Sequence, residues 1–371
     1  MNRRTLFLAP LLFLAAHALP AQSPLSITAT RLSHQPLLSP APATFYDAGA
    51  FNPAAARDPR TGSITLLFRG QNAHGLSQIG RATSPDGIHF TADPTPALSP
   101  TGPDESGGGI EDPRLVHINK LWYLTYTAYN GHDAQLALAT SPDLIHWQRR
   151  GIILPAYRGT WNKQWTKSGA IVPEKINGRW WMYYLGTRPL PPAAASAGKA
   201  SPAADDHGGH TVDYMGLASS TDLLHWADAT DEPVLPRNPG AFDARVMEPG
   251  PAPIITPVGI LLLYNGADSH LVYRTGWALF DLHDPSKLIA RSDDPIFAPG
   301  LAWEESGQVP NVVFLEGLVP EIPVNPAWMP PAPPQSPCSP FGLNFNGYYG
   351  AADKYVGGVR LHLTLHCPKS K

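Results

Sequence analysis

The chain has 371 residues and a formal net charge of −3, with no strongly basic stretch. Proteins that bind nucleic acid usually carry a basic patch or a positive balance, so the composition argues against that class. Its 42 prolines and 33 glycines occur beside 10 Trp, 13 Tyr and 12 Phe residues, a mixture that favours many short strands joined by tight turns.

The first residues are predicted to be a cleaved leader. Arg3 and Arg4 precede an apolar run over residues 6–16, and small residues follow it. This is the pattern of a secretory signal peptide over residues 1–21, cleaved near Ala18 or Ala21. A membrane anchor is the alternative, but the run is shorter than the ~20 apolar residues that span a bilayer. We therefore expect an exported protein that is not held in a membrane, whose residues 22–371 form one domain.

A short turn motif recurs along the chain and indicates a repeat architecture. Ser, Asp, His and an aromatic residue return at the same spacing in residues 84–90, 141–147 and 220–226, with a degenerate copy at 281–289. The segments between the copies are rich in aromatic and β-branched residues and read as strands. Strand-like repeats of roughly fifty residues are typical of propellers. The sequence therefore predicts an all-β fold, a five-bladed β-propeller, in which the motif is a packing device without chemistry.

Two stretches are predicted to be insertions. Residues 191–210, rich in Ala, Pro and Ser, read as a mobile loop that ends in two Asp and two His residues. We weigh metal binding there against a solvated loop and favour the solvated loop. The second insertion, residues 320–340, is Pro-rich. Its Cys338 and the distant Cys367, the two cysteines of the chain, are predicted to form a disulfide in an exported protein, with two free thiols as the alternative.

Candidate functional residues lie where polar groups interrupt apolar strands, because the inner strands of a propeller converge on its centre. The sharpest segment is Glu111-Asp112-Pro113-Arg114. Pro113 predicts an extended Asp112, and two neighbouring carboxylates beside an Arg can differ in pKa. A salt-bridged turn is an equally weighted interpretation of this segment. The other segments are residues 51–54, 68–70, 167–170, 245–250, 264–266 and 349–353.

Several segments, in order, resemble glycoside hydrolase family 130, a five-bladed propeller family of β-mannoside phosphorylases and hydrolases. They are Phe51-Asn52-Pro53-Ala54, Ser77-Gln78-Ile79-Gly80, Glu111-Asp112-Pro113-Arg114 and residues 173–178, 307–314 and 348–353. The resemblance spans about residues 45 to 365. It implies that Asp112 is the catalytic acid, that the substrate is a β-mannoside oligosaccharide, and that neither a metal nor an organic cofactor is needed.

The chain departs from the phosphorylases of this family at their anion site. Tyr264-Asn265-Gly266 stands where they have Tyr-His-Gly, and the added carboxylates Glu248 and Glu316 stand near the predicted centre. Fewer cations and more carboxylates weaken a phosphate site. The departure therefore resembles the exported hydrolase branch of the family, which acts on β-1,2-linked mannosides.

The expected reaction is inverting hydrolysis. Asp112 protonates the leaving oxygen, directly or through a sugar hydroxyl, and Glu248 activates water, with Glu316 as the reserve candidate. A β-mannoside phosphorylase that releases mannose 1-phosphate and a non-catalytic glycan-binding propeller remain the alternatives, and no oligomeric state is predicted. The expected substrate-binding residues are Asn52, Arg69, Glu111, Arg114, Lys167, Asn265, Tyr349 and Asp353.

Overall fold

The computed structural model describes residues 23–59, 61–189, 211–321 and 341–366. These residues confirm the all-β class, because their helices are limited to a 3-10 turn, Pro103–Glu105, and one short helix, α1 (Ala302–Glu305). None of the described helices has the length and apolar character needed to cross a membrane. The predicted leader, the insertion 191–210, nearly all of the Pro-rich loop 320–340 and both cysteines lie outside the described residues.

The described residues contain twenty-one strands. In chain order they are β1 (Leu25–Arg31), β2 (Gly49–Arg57), β3 (Ile64–Gln71), β4 (Ser77–Ser84), β5 (Thr91–Ala92), β6 (Gly109–Ile118), β7 (Leu121–Tyr129), β8 (Ala134–Ser141), β9 (Gln148–Leu154), β10 (Thr166–Ile171), β11 (Trp180–Pro189), β12 (Thr211–Ser220), β13 (Ala227–Asp228), β14 (Val246–Pro249), β15 (Ile254–Thr256), β16 (Gly259–Ala267), β17 (Tyr273–Phe280), β18 (Leu288–Arg291), β19 (Val313–Pro320), β20 (Phe341–Ala351) and β21 (Tyr355–Leu365).

Hydrogen bonds join the described strands into three sheets, none of which closes on itself. Their orders are β1-β21-β20-β19, then β2-β3-β4-β6-β7-β8-β9, then β10-β11-β12-β14-β16-β17-β18. Among the described residues, parallel pairing occurs at three places, each a single residue pair: Ser77 with Gly109, Asp213 with Val246, and the isolated bridge of Tyr273 with Val312. Five antiparallel units therefore follow one another in the sequence: β2–β5, β6–β9, β10–β13, β14–β18, and β19–β21 completed by β1.

The core lies between successive units. Each unit packs an apolar face on the next, and the fifth also packs on the first, where Val319 and Tyr348 share a buried cluster with Leu66 and Phe68. The first strands of the units contact one another: β2 contacts β6 and β19, β6 contacts β10, and β10 contacts β14. Polar residues on these first strands are therefore brought together, although they are far apart in the sequence.

The recurring turn motif has the structural role that the sequence predicts. Its Ser ends the third strand of a unit at Ser84, Ser141 and Ser220. In the first copy Asp86 Oδ1 accepts hydrogen bonds of 2.9 Å from the backbone N–H groups of Ile88 and His89. These bonds hold the pKa of Asp86 below its ordinary value, as expected for a carboxylate that caps a turn.

A buried cluster of Tyr, a carboxylate and Arg also repeats, which the sequence analysis did not recognise. In four units the Tyr lies on the strand that pairs with the first strand of the unit. In the remaining unit, β2–β5, Phe68 takes the place of this Tyr. Each Tyr hydroxyl donates to the carboxylate, which also binds the Arg. The four clusters are Tyr126 with Glu105 and Arg149, Tyr184 with Asp228 and Arg158, Tyr264 with Asp243 and Arg291, and Tyr349 with Glu304 and Arg31.

Candidate active site

Three consecutive units carry a β-bulge in their first strand, and a polar residue lies in each. The residues are Asn52 in β2, Asp112 in β6 and Ser168 in β10, with φ of 48°, 49° and 57°. A bulge interrupts the alternation of a strand and redirects a side chain. The prediction that Pro113 keeps Asp112 extended is wrong, because the bulge imposes a left-handed backbone that Asp tolerates better than most residues.

Asp112 lies in a pocket of donors on the first and second units. Asn52 Nδ2 donates to its Oδ1 at 2.8 Å, and Arg69 Nη1 lies 3.3 Å from the same oxygen. Burial opposes ionisation, but the positive charges of Arg69, Arg114 and Lys167 outweigh it and hold the pKa of Asp112 below its ordinary value. Asp112 is therefore ionised at neutral pH when the site holds no substrate.

Glu248 lies in β14, and the third unit holds it in place. Ser168 Oγ donates to its Oε1, and Arg114 Nη2 lies 3.7 Å from the same atom. Burial and the charge of Asp112 raise the pKa of Glu248 to about 7, although Arg114 and Lys167 act in the opposite direction. The carboxyl is thus divided between its two protonation states near neutral pH, which suits a group that exchanges protons with water.

Glu316 occupies a bulge in β19 and is more deeply buried, with 1 % of its surface exposed against 7 % for Glu248. Its Oε1 lies 2.6 Å from Arg114 Nη1. Neither carboxyl oxygen has a hydrogen bond of good angular geometry with any described residue. Burial, reinforced by the charges of Asp112 and Glu248, raises the pKa of Glu316 well above its ordinary value, although the charge of Arg114 acts in the opposite direction.

Arg114 connects the carboxyls of Glu248 and Glu316 to the backbone of Asp112. Its side chain is 2 % exposed, and its Nη1 and Nη2 donate to the backbone oxygens of Asp112 and Pro249 at 2.8 and 2.9 Å. These bonds fix the guanidinium between Glu248 and Glu316. One buried cation therefore faces both glutamates that the sequence analysis proposed as bases.

Four further predicted residues act on this site through hydrogen bonds or charge: Arg69, Glu111, Lys167 and Asp353. Arg69 Nη2 donates to Glu111 Oε1 at 2.6 Å. Burial alone would lower the pKa of Arg69, but the charges of Glu111, Asp112 and Asp353 raise it above its ordinary value. Lys167 acts electrostatically on Asp112 and Glu248. The structure thus brings these four predicted residues into one network of charges with the catalytic candidates.

Two predicted substrate-binding residues have other positions. Asn265 is fully buried, and its amide accepts from Leu315 N–H and donates to Leu315 O, both at 2.9 Å. It therefore fixes β19 next to Glu316 and has no exposed surface for a sugar. Tyr349 donates to Glu304 Oε1 at 2.7 Å in one of the repeated clusters. The structure does not place Tyr349 for the expected contact with substrate, because the register of β20 directs its ring into the core.

Ser168 was missed in the sequence, although a signal was present. When segments 51–54, 111–114 and 167–170 are aligned, Asn52, Asp112 and Ser168 all fall at the second position.

A cavity of about 270 Å³ has Glu316 in its lining, which is otherwise largely apolar and does not include Asp112 or Glu248. Among the described residues no group of three or more His, Cys, Asp or Glu side chains could hold a metal ion.

Comparisons with known proteins show the family of this chain. A family model described as β-1,4-mannooligosaccharide phosphorylase matches residues 42–322. A 1,2-β-oligomannan phosphorylase of Thermoanaerobacter sp. (strain X514) is 35% identical over 295 residues, which cover 76% of this chain and 87% of that protein.

Solved structures have the same fold at similar identity. A glycosyl hydrolase from Bacteroides ovatus is 30% identical with a TM-score of 0.70, and the match covers 89% of this chain and 92% of that one. A second structure is 30% identical with a TM-score of 0.71 over 92% and 95% of the two chains. It belongs to a family of mannoside phosphorylases that contains glycoside hydrolases targeting β-1,2 mannosidic linkages in Candida mannan. The family model and the relatives each span most of the chain, and the protein therefore belongs to glycoside hydrolase family 130.

Proposed function

We propose that the protein hydrolyses β-linked mannosides with inversion, and that β-1,2 linkages are its substrates. The observation that carries hydrolysis is the position of Arg114, whose Nη1 and Nη2 lie 2.6 and 3.7 Å from the carboxyls of Glu316 and Glu248. The linkage is supported by the Thermoanaerobacter relative, a 1,2-β-oligomannan phosphorylase, and by the family's hydrolases that target β-1,2 mannosidic linkages.

The charges of the site favour water over phosphate as the attacking group. Arg69 faces Glu111 and Asp112, and Arg114 faces Glu248 and Glu316. Each guanidinium is therefore already opposed by two carboxyls. A phosphate dianion would meet repulsion from those carboxylates that are ionised, whereas a water molecule needs only a neighbouring base.

Glu248 suits the role of the base better than Glu316. Its pKa of about 7 matches neutral conditions, where a general base works best. Ser168 holds one carboxyl oxygen, Oε1, which orients Oε2 as the acceptor of a proton from water. Glu316 contacts Arg114 more closely and is almost completely buried, so we assign it the task of holding that guanidinium.

Asp112 needs a proton before it can act as the acid. In the unliganded site the proton favours Glu248, because Asp112 has the lowered pKa and Glu248 the raised one. Transfer of one proton from Glu248 to Asp112 converts this resting form into the productive form without changing the total charge. The two groups therefore titrate as a coupled pair, and a sugar hydroxyl that bonds to Asp112 stabilises the productive form.

The proposal also covers the arrangement of the five units and the export of the protein from the cell. We propose that the five antiparallel units surround the site as the five blades of a propeller, supported by the packing of the fifth unit on the first and by the pairing of β1 with β21. We also propose export, on the leader pattern of residues 1–21. Fractionation of an expressing cell followed by N-terminal sequencing tests the second point, and a chain that stays in the cytoplasm with Met1 intact would refute it.

Phosphorolysis is the second candidate, because the relative that is 35% identical is a phosphorylase. The deciding experiment incubates the protein with β-1,2-mannobiose in buffers with and without inorganic phosphate, and follows the products by proton NMR. Hydrolysis predicts the same rate in both buffers and α-mannose as the first product. Mannose 1-phosphate formation would overturn the proposal, and binding without any product would indicate a glycan-binding protein.

A further inference from the structure

Tyr157 has two unusual properties at once. It lies between β9 and β10 with 49 % of its surface exposed, and its φ is 52°. A bulky L-residue rarely adopts a left-handed backbone. Leu144 and Leu223 of the turn motif do so as well, but their side chains are buried. An exposed ring gains little from packing that would offset the strain, so the loop presents this ring to the solvent for another reason.

Two further aromatic side chains lie beside it. Tyr129 ends β7, Trp165 precedes β10, and the centres of their rings are 5.7 Å apart. Burial and a hydrogen bond with Asp133 raise the pKa of Tyr157, and its hydroxyl also interacts with Trp165. We call Tyr129, Tyr157 and Trp165 the aromatic ledge. Tyr157 supplies its exposed ring face, Trp165 is 5 % exposed, and the carboxylate of Asp133 lies at the edge.

The aromatic ledge adjoins the candidate active site at two points. Tyr129 pairs with Gly109, two residues along β6 from Glu111 and three from Asp112. Lys167 Nζ lies 4.7 Å from the centre of the Trp165 ring, and its charge acts on both Asp112 and Glu248. The ledge is therefore continuous with the acid side of the site.

Glycine allows this close arrangement. A Cβ on Gly108 would lie 2.0 Å from Tyr129 Cδ1, so the ring rests directly on the backbone that leads to Asp112. The loops that carry the ledge are also tied together, because Ala156 N–H donates to Gln135 Oε1 at 3.2 Å. The aromatic ledge is thus built into the fold at a fixed place next to the acid.

We propose that the aromatic ledge is a sugar-binding subsite that holds the unit on the leaving-group side of the scissile bond. The acid donates its proton to the leaving oxygen, so the leaving sugar lies on the side of Asp112, where the ledge begins. A pyranose has an apolar C–H face, which packs on an aromatic ring, and hydroxyls at its edge, which Asp133 can accept. The inference rests on the proposed mannoside activity and adds the subsite to it.

Calorimetric titration tests the subsite in an Asp112→Asn background, in which the oligosaccharide stays intact. Tyr157→Asn removes the ring and tolerates the positive φ, Tyr157→Gly does the same without a side chain, and Tyr157→Phe keeps the ring. We expect both ring-deleting variants to bind β-1,2-mannotriose about ten-fold more weakly, which corresponds to about 1.4 kcal/mol, and Tyr157→Phe to stay close to the parent. Binding of methyl β-mannoside, which lacks the second sugar, should be unchanged in all three.

The outcomes separate the subsite from the proposed function. Unchanged mannotriose binding by Tyr157→Asn and Tyr157→Gly would overturn the subsite while mannoside binding itself stands. Equal weakening of methyl β-mannoside would also overturn it, because the ring would then act on the whole site. If the parent binds no β-mannoside of any length, the proposed function fails and the subsite fails with it.

Discussion

The conversion of Glu248 to Gln should make the protein more stable and less active. The folded pKa of Glu248 is about 7 against an ordinary 4.5, so between these pH values the folded chain binds more protons than the unfolded chain. Stability of the wild type therefore falls as pH rises through this window. At about 1.4 kcal/mol per pKa unit, the loss at pH 8 approaches about 3 kcal/mol. A neutral Gln avoids it and keeps an oxygen that can accept from Ser168.

Thermal unfolding at pH 4.5 and pH 8 measures this effect. We expect Glu248→Gln to melt several degrees above the wild type at pH 8 and close to it at pH 4.5. Its hydrolysis of β-1,2-mannobiose should fall by about 100-fold or more, as for loss of a general base, with partial rescue by azide. Glu304→Gln is the matched control, because Arg31 and Tyr349 bind that buried carboxylate, and it should destabilise the protein at pH 8. The reasoning is refuted if Glu248→Gln is less stable than the wild type at pH 8.

Three further predictions follow from the same contacts. Asp112→Asn should lower turnover of mannobiose by at least about 100-fold but affect a dinitrophenyl β-mannoside much less, because that leaving group needs no proton; equal losses on both substrates would remove Asp112 as the acid. Ser168→Ala should shift the acid limb of the pH–rate profile to higher pH, because the hydrogen bond from Ser168 lowers the pKa of Glu248. An unshifted limb with normal turnover would show that Ser168 does not act on the base. Tyr349→Phe should cost about 1–2 kcal/mol of stability by leaving Glu304 short of a donor and leave KM unchanged, and a large rise in KM would restore Tyr349 to the substrate site.

The local features of this fold are readable from its sequence. The turn motif is predictable because the hydrogen bonds that shape the turn are local: Ser84 and Asp86 accept from backbone N–H groups two or three positions away. The strands between the copies follow from their apolar and β-branched composition. That Asp112, Glu248 and Arg114 form one site is predicted by resemblance to a family and not by any local pattern, because their contacts join segments more than a hundred residues apart.

The errors arose where strand pairing decides the conformation or the direction of a side chain. Pro113 favours an extended Asp112, but the pairing of β6 with β7 places a bulge there and reverses the sign of φ. Asn265 lies in a segment that looks like a site, yet its amide is bound to the backbone of Leu315 on a neighbouring unit. Neither the register nor the neighbouring unit can be read from the segment itself.

The three bulges suggest how a repeated fold acquires chemistry. The same strand position carries Asn52 in the first unit, Asp112 in the second and Ser168 in the third. Asn52 binds the proposed acid at 2.8 Å, and Ser168 binds the proposed base, so one structural device supplies one proposed catalytic group and supports for two. Because each bulge belongs to a strand paired within its own unit, these side chains are held by the rigid part of the fold. A unit can then change its polar residue without altering its pairing, which is a physical route by which one architecture could exchange a phosphate site for a water-activating one.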